Sequence, residues 1–109
     1  MEIKGKFWVE NKGEVVLGSG KAALLHTIRQ KGSIQKAAEE FGMSYRHAWG
    51  IIRKMEQRAG FRLVKAQAGG GERKGAQLTA RGRDFVGKFT LFEETLRRIT
   101  AEKFGEIFT

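Results

Sequence analysis

Apolar positions in the middle of the chain recur at helical spacing in two short segments that are separated by small and polar residues. The apolar face of the first segment comprises Ile34, Ala37, Ala38 and Phe41. The apolar face of the second comprises Ala48, Ile52, Met55 and Ala59. Recurrence at three- and four-residue steps is typical of amphipathic helices, so the pattern predicts helices over about 34–41 and 45–59.

The residues that border these two segments are typical of helix ends. Ser33 and Ser44 precede them, and each hydroxyl can accept a hydrogen bond from an unpaired N–H group of the following first turn. Gly42 can adopt the left-handed conformation that ends a helix, as can Gly60 after the second segment. Met43 can fill the corner between the helices. Two capped helices joined by so short a turn predict a helix-turn-helix, whose second helix enters the major groove of DNA.

Two further elements are predicted before this pair. Apolar and polar residues alternate on both sides of the turn sequence Asn11-Lys12-Gly13, which favours a β-hairpin within residues 6–17. Gly18-Ser19-Gly20 interrupts that alternation. A helix over about 21–31 follows, ended by Gly32, and its buried face contains Leu24, Leu25 and Ile28.

The segment after Gly60 predicts a second hairpin. A short strand at 61–66 is followed by a glycine-rich, basic loop at 67–75 and a return strand at 76–78. Three helices followed by a hairpin predict a winged helix-turn-helix, mainly α with small β-hairpins. We divide this single domain into an N-terminal hairpin (1–20), a three-helix core (21–60), a wing (61–78) and a long C-terminal dimerisation helix (79–109).

The C-terminal helix, capped by Thr79, carries a narrow apolar stripe. Its members alternate at steps of four and three, as in a coiled coil, and are Phe85, Phe89, Phe92, Leu96 and Ile99. Full burial of a large apolar side chain is worth roughly 1.5–3 kcal/mol, so exposing them all is unfavourable. The chain can bury part of the stripe against its own N-terminal hairpin, and a second copy would bury the rest. The stripe therefore predicts a homodimer.

The charge of the chain points to a polyanionic partner. Its 21 Lys and Arg residues exceed its 12 Asp and Glu residues, which gives a net charge of +9. On the second helix of the pair, the candidate DNA contacts outside the apolar face are Tyr45, Arg46, Trp49, Arg53 and Lys54. Arginine can donate to guanine in bidentate fashion, and aromatic rings can contact the backbone or thymine methyl groups. Two simpler interpretations stay open, in which Trp49 belongs to the core and the arginines form a solvated face.

Other candidate contacts lie at the helix starts and in the wing. Ser33 and Gln35 are placed to face a phosphate from the start of the first helix, and Ser44 begins the second, where N–H groups and the helix dipole favour anions. Arg73 and Lys74 in the wing can reach phosphates or the minor groove. A solvated loop tip without a DNA contact is the alternative for this segment.

Catalysis, cofactors and metal ions are not expected. His26 and His47 have no metal-ligand spacing with another histidine or a carboxylate, and no Ser-His-Asp arrangement is suggested. The glycine-rich loop lacks the Ser or Thr of a nucleotide-binding loop, because Lys74 is followed by Gly75. The chain has no cysteine, no apolar run long enough for a membrane span and no signal-peptide pattern, so we expect a cytoplasmic protein.

Residues 32–78 resemble the DNA-binding domain of the ModE family of molybdate-responsive regulators. The matching pieces are Gly32-Ser33-Ile34, Ala37-Ala38, Gly42-Met43-Ser44-Tyr45, Ala48-Trp49, Met55 and Gly69-Gly70-Gly71. Leu78-Thr79 with Gly82 is similar to the related LysR-type winged helices. The resemblance implies a dimeric winged helix, joined through its terminal helix, that binds an operator. Full-length members carry C-terminal oxyanion-binding modules for which these 109 residues have no room, so molybdate binding by this chain is not expected.

Sequence reasoning therefore favours a regulator that binds double-stranded DNA at a near-palindromic operator as a homodimer. A protein-interaction module whose basic surface is incidental is a second interpretation, and an RNA-binding module is a third. The chain is either a short stand-alone regulator or part of a longer one.

Overall fold

The computed structural model describes residues 1–66 and 75–109, which form four helices and two hairpins. The helices are α1 (Ser19–Lys31), α2 (Ile34–Glu40), α3 (Tyr45–Ala59) and α4 (Ala80–Ile107). The strands are β1 (Val9–Asn11), β2 (Glu14–Leu17), β3 (Val64–Ala66) and β4 (Ala76–Leu78). β1 pairs with β2 and β3 with β4, both antiparallel. The predicted fold class, a mainly α winged helix-turn-helix with a long C-terminal helix, is confirmed.

The N-terminal hairpin turns at Lys12 and Gly13, whose φ angles are 53° and 81°. Positive φ at both central residues matches the twist of the strands that the turn connects. The hairpin is shorter than the predicted range of residues 6–17, because β1 begins only at Val9, and the pairing register shifts between Val9 and Glu10. The hairpin is tied to α3, since the Asn11 side-chain amide donates a hydrogen bond of 2.8 Å to the Arg58 carbonyl oxygen.

Helix α1 begins at Ser19, two residues before the predicted start. Gly18 is its extended N-cap, and the Ala22 N–H donates to the Gly18 carbonyl oxygen at 2.9 Å. The Ser19 hydroxyl also donates to the Glu93 carboxylate of α4, a contact between residues 74 positions apart that supports the first turn. The end of α1 is as predicted, with Gly32 in the left-handed conformation at φ 66°.

One hydrophobic core is enclosed by α1, α2, α3, the two hairpins and the first half of α4. The predicted face of α1 is buried in it, and so are Ile34, Ala37 and Ala38 of α2. Of the predicted face of α3, Ala48, Ile52 and Met55 are buried, whereas Ala59 is only partly buried. Phe41 was wrongly assigned to the buried face of α2, since its side chain is 41% exposed. The cause is that α2 ends at Glu40 and Phe41 takes a non-helical C-cap conformation, which removes it from the helical face.

The connection between α3, β3 and α4 is held by hydrogen bonds to its backbone. The Glu56 carboxylate accepts from the Leu63 N–H at 2.7 Å and from the Val64 N–H at 3.2 Å. Thr79 caps α4 by accepting from the Gly82 N–H at 2.8 Å, and its own N–H donates to the Leu63 carbonyl oxygen at 2.9 Å. The predicted strand at 61–66 therefore begins only at Val64, because the Leu63 amide bonds to a carboxylate instead of a neighbouring strand. We call this connection the Leu63 joint.

Replacement of Gly82 with alanine is expected to destabilise the Leu63 joint. A Cβ atom at Gly82 would lie 2.4 Å from the Leu63 carbonyl oxygen, a backbone atom that cannot move away freely. Overpacking of this kind costs about 1–3 kcal/mol of unfolding free energy. Urea denaturation measures the loss, and Gly87→Ala is the control because a Cβ at Gly87 would meet no described atom within 4 Å beyond its chain neighbours and the adjacent backbone of α4. Equal stability of the two variants would contradict the packing argument.

Candidate nucleic-acid interface

Both predicted caps of the helix-turn-helix are present. The Ser33 hydroxyl accepts from the Lys36 N–H at 3.1 Å, and the Ser44 hydroxyl accepts from the His47 N–H at 3.0 Å. Between them Gly42 has φ 67°, and the Met43 N–H donates to the Ala38 carbonyl oxygen at 3.0 Å. These bonds satisfy the backbone through the corner, so α3 leaves α2 in one defined direction.

Helix α3 divides cleanly into a buried and an exposed face. Ala48, Ile52 and Met55 are at most 1% exposed. The exposed face lies opposite and contains Arg46, Gly50, Arg53, Lys54 and Gln57. The core therefore holds α3 from one side only, and its other side is free to enter a groove.

Three of the predicted DNA contacts form a connected row along α3. The Trp49 indole N–H donates to the Tyr45 hydroxyl at 2.6 Å, and the two rings meet edge to face at a centroid distance of 6.4 Å. The Arg53 guanidinium lies 5.7 Å from the centre of the Trp49 ring, within reach of a cation–π interaction. We call Tyr45, Trp49 and Arg53 the aromatic ridge. Trp49 is half-buried and packs against the core, and its contact with DNA stays a prediction.

A basic row follows the ridge around the helix surface. Arg46 and Lys54, two turns apart, are both exposed, and His47 lies beside them. Residues 45–48 include no Asp or Glu, so the positive end of the helix dipole adds to these charges. Within residues 1–66 and 75–109, no carboxylate lies within ion-pair distance of Arg46, Arg53 or Lys54. The exposed face of α3 is therefore suited to a polyanion.

Glu56 and Arg58, near the end of α3, do not belong to this exposed face, and sequence reasoning did not predict their positions. Glu56 lies in the Leu63 joint. Arg58 faces the N-terminal hairpin, where its guanidinium donates to the Val15 carbonyl oxygen at 3.0 Å and pairs with Glu14 at 3.4 Å. No local pattern signals either contact, because the partners come from other elements of the fold.

The remaining predicted DNA contacts are less defined by the structure. Ser33 is half-buried and acts as a cap, and the half-buried Gln35 lies 3.4 Å from the Glu39 carboxylate. Arg73 and Lys74, like the triple glycine of the wing, lie outside the described residues. The direct contact of each of these residues with DNA stays a prediction.

The apolar stripe of α4 is only partly buried within the chain. Phe89 is 7% exposed, and Phe85 packs edge to face on Phe61 at a centroid distance of 5.4 Å. The stripe was expected to pack against the N-terminal hairpin. Phe85 instead contacts Phe61, which lies just after α3. Phe92 and Ile99 are 63% and 42% exposed. The beginning of the stripe belongs to the core, Leu96 is half-buried, and Phe92 and Ile99 lie on the surface.

No helix within the described residues is both long and apolar enough to cross a bilayer. The capped α2–α3 pair, the free face of α3 and the β3–β4 hairpin define a winged helix-turn-helix protein. The profile of bacterial regulatory helix-turn-helix proteins of the lysR family matches residues 21–83. The chain belongs to this family.

Curated relatives confirm the resemblance to ModE. The chain is 38% identical over 77 residues to the molybdenum transport protein ModE of Azotobacter vinelandii, which covers 71% of the chain and 28% of the relative. It is 34% identical over 74 residues to the DNA-binding transcriptional dual regulator ModE of Escherichia coli K12, a match that covers 68% of the chain and 28% of the relative. It is 32% identical over 83 residues to the molybdenum-pterin-binding protein MopB of Rhodobacter capsulatus, a match that covers 76% of the chain and 31% of the relative. The chain thus spans about a third of the length of these relatives.

Proposed function

We propose that this protein is a transcriptional regulator that binds a near-palindromic DNA operator as a homodimer. The observation that carries the proposal is the free face of α3, where the aromatic ridge and the basic row lie opposite a fully buried stripe. A helix held in this way can enter the major groove with its N-terminal residues against base edges. The name of the Escherichia coli relative, a DNA-binding transcriptional dual regulator, supports the same function.

Each part of the chain has a place in this proposal. Arg46, Arg53 and Lys54 contact bases or phosphates, with Tyr45 and Trp49 beside them. Ser33, Gln35 and Ser44 lie at the helix starts near the backbone, and Arg73 and Lys74 extend the contact from the wing. Residues 79–109 join two copies, so that two α3 helices meet one face of the duplex about one turn, roughly 34 Å, apart. Because its target is chromosomal DNA, we place the protein in the cytoplasm.

Selection of random duplexes by the purified protein tests the proposal and yields the operator. We expect a single enriched sequence with two-fold symmetry, and structured RNA should compete with it poorly. Enrichment of no sequence would contradict specific DNA binding. Preferential binding of the RNA competitor would instead favour the RNA-binding interpretation.

DNA binding should depend strongly on salt, because the net charge of +9 implies several phosphate contacts per dimer. The logarithm of the affinity is expected to fall with the logarithm of salt concentration by about 0.9 for each phosphate neutralised. Arg73→Ala and Lys74→Ala should each reduce that slope by about one and leave sequence preference unchanged. Fluorescence anisotropy across a salt series measures both. A flat salt response would exclude the electrostatic contribution, and altered base preference would show that the wing reads sequence.

We further propose that DNA binding by these 109 residues does not require molybdate. Two of the relatives described above have molybdenum in their names, and this chain matches only 31% and 28% of their lengths. Molybdate added to the anisotropy assay should leave the affinity unchanged. A shift in affinity would place a molybdate site within this chain.

A further inference from the structure

Gly50 lies at the centre of the exposed face of α3, opposite the buried stripe and beside the basic row. Glycine is among the least favourable residues in a helix interior, because it loses more conformational freedom on folding than alanine does. Packing does not require it here, because a Cβ at this position would meet no described atom within 4 Å beyond its chain neighbours and the adjacent backbone of α3. The structure of the protein itself therefore gives no reason for a glycine at position 50.

A shallow, open hollow lies over Gly50 on the surface of α3. Ile51 and the glycine backbone supply carbon atoms to it, and Ser44, Arg46, His47 and Lys54 border it. On the other side of Gly50 the helix surface rises to the aromatic ridge. A duplex that meets α3 would therefore approach the helix backbone most closely at Gly50.

The chemistry of the hollow selects what can occupy it. The N–H and C=O groups of a mid-helix residue are bonded within the helix, and neither Gly50 nor Ile51 offers a polar side chain. Directly over Gly50 and Ile51, a base edge that presents a donor or acceptor would therefore lose its water without a replacement partner, whereas polar side chains are available only at the border, from Ser44, Arg46, His47 and Lys54. The thymine C5-methyl group is the apolar feature of the major-groove edges, so it suits the hollow. The surrounding basic side chains suit the phosphates and base acceptors on either side.

We infer that Gly50 is a specificity-determining residue whose hollow receives a thymine methyl group in each operator half-site. The inference rests on the proposed function, since it requires that α3 lie in the major groove. It assigns to a residue without a side chain a part in sequence readout beside Arg46. Uracil differs from thymine only by that methyl group, so the contact can be tested without changing any hydrogen bond of the base pair.

The test replaces each thymine of the selected operator by uracil, one position at a time, and measures binding by the wild-type protein and by Gly50→Ala. At one position per half-site the wild-type protein should lose about fourfold in affinity, the factor expected for one methyl group no longer buried. Gly50→Ala places its own methyl group on the helix surface where the thymine methyl group would lie. It should therefore bind the thymine duplex more weakly than wild type and the uracil duplex at least as well as the thymine duplex.

Gly87→Ala is the matched control, because Gly87 is also an exposed mid-helix glycine with open space around it. Both variants should raise the Tm by roughly 4 °C, since each removes a glycine from a helix interior. Only Gly50→Ala should change DNA binding. A more stable protein that binds DNA less well is an outcome that a structural role for Gly50 does not produce.

Three results would overturn the inference. If no single uracil replacement weakens wild-type binding, the operator is bound without a methyl contact. If wild type and Gly50→Ala lose affinity at the same thymines, that methyl group is read elsewhere. In both cases specific DNA binding stands and only the role of Gly50 is wrong. If the wild-type protein selects no duplex at all, the proposed function fails and the inference fails with it.

Discussion

Phe92→Glu is expected to convert the protein to monomers and to weaken operator binding by about 100-fold or more, because the two linked half-sites no longer act together. Phe85 and Phe89 already pack against other residues of the same chain, whereas the next residue of the stripe, Phe92, is 63% exposed. A carboxylate there would have to lose its hydration when two copies pack together, and a buried unpaired charge is strongly unfavourable. The α2–α3 pair lies apart from this position, so the fold should persist.

Leu91→Glu is a sharp control for this prediction. Leu91 neighbours Phe92 and is 65% exposed, almost the same fraction, but it lies about 100° around the helix and outside the stripe. Leu91→Glu should remain dimeric, and Phe92→Leu should retain the wild-type assembly. Sedimentation velocity at tens of micromolar protein measures all three. A monomeric wild-type protein would contradict the dimer, and dissociation by Leu91→Glu would place the interface on a different face of α4.

Arg46→Ala is expected to cost about 1–3 kcal/mol of binding free energy on the selected operator and to relax base preference at one or two positions. Arg46 is the second residue of α3 and lies on the exposed face near the positive end of the helix dipole. Its guanidinium is not held by a carboxylate within the described part of the chain. Arg53 differs, since it lies against the Trp49 ring. Arg46 therefore has the greater freedom to adopt a bidentate geometry on guanine.

Two variants separate base readout from charge. Arg46→Lys keeps the charge and loses the planar fork, so it should retain binding to random duplex and lose most of the discrimination. Arg98→Ala removes one charge from an exposed position of α4 outside the stripe and should change affinity for operator and random duplex equally and only slightly. The measurement is anisotropy on both duplexes, with unchanged circular dichroism for each variant. Equal losses for Arg46→Ala on operator and random DNA would show that Arg46 contacts only phosphate.

Local signals predicted the helix-turn-helix accurately. Ser33 and Ser44 cap α2 and α3 as expected, and the four residues between the helices include the left-handed Gly42. The cause is that capping and turn formation involve groups only two to five residues apart, so the residues that determine the bonds are adjacent in the sequence. The same holds for Gly32 and Gly60, which end α1 and α3 where expected.

The incorrect boundaries share a different cause. Helix α1 begins early where Ser19 meets Glu93, and strand β3 begins late where Leu63 bonds to Glu56. The first contact joins residues 74 positions apart, and the second joins residues of different elements seven positions apart, so the pattern within each element carries no information about them. The exposure of Phe41 follows from a helix that ends one residue earlier than the pattern of apolar residues indicated.

The sequence by itself determined the class of this protein, because alternation, caps and turns are short-range properties that specify which segments become helices and strands. It also determined which side of α3 faces the core, since Ala48, Ile52 and Met55 recur at helical spacing. Only the tertiary structure decided which charges on α3 are available to DNA, because Glu56 and Arg58 are turned to partners in the Leu63 joint and the N-terminal hairpin. It also decided where the stripe of α4 leaves the core, since the space beside Phe85 is filled by Phe61 from a distant part of the chain.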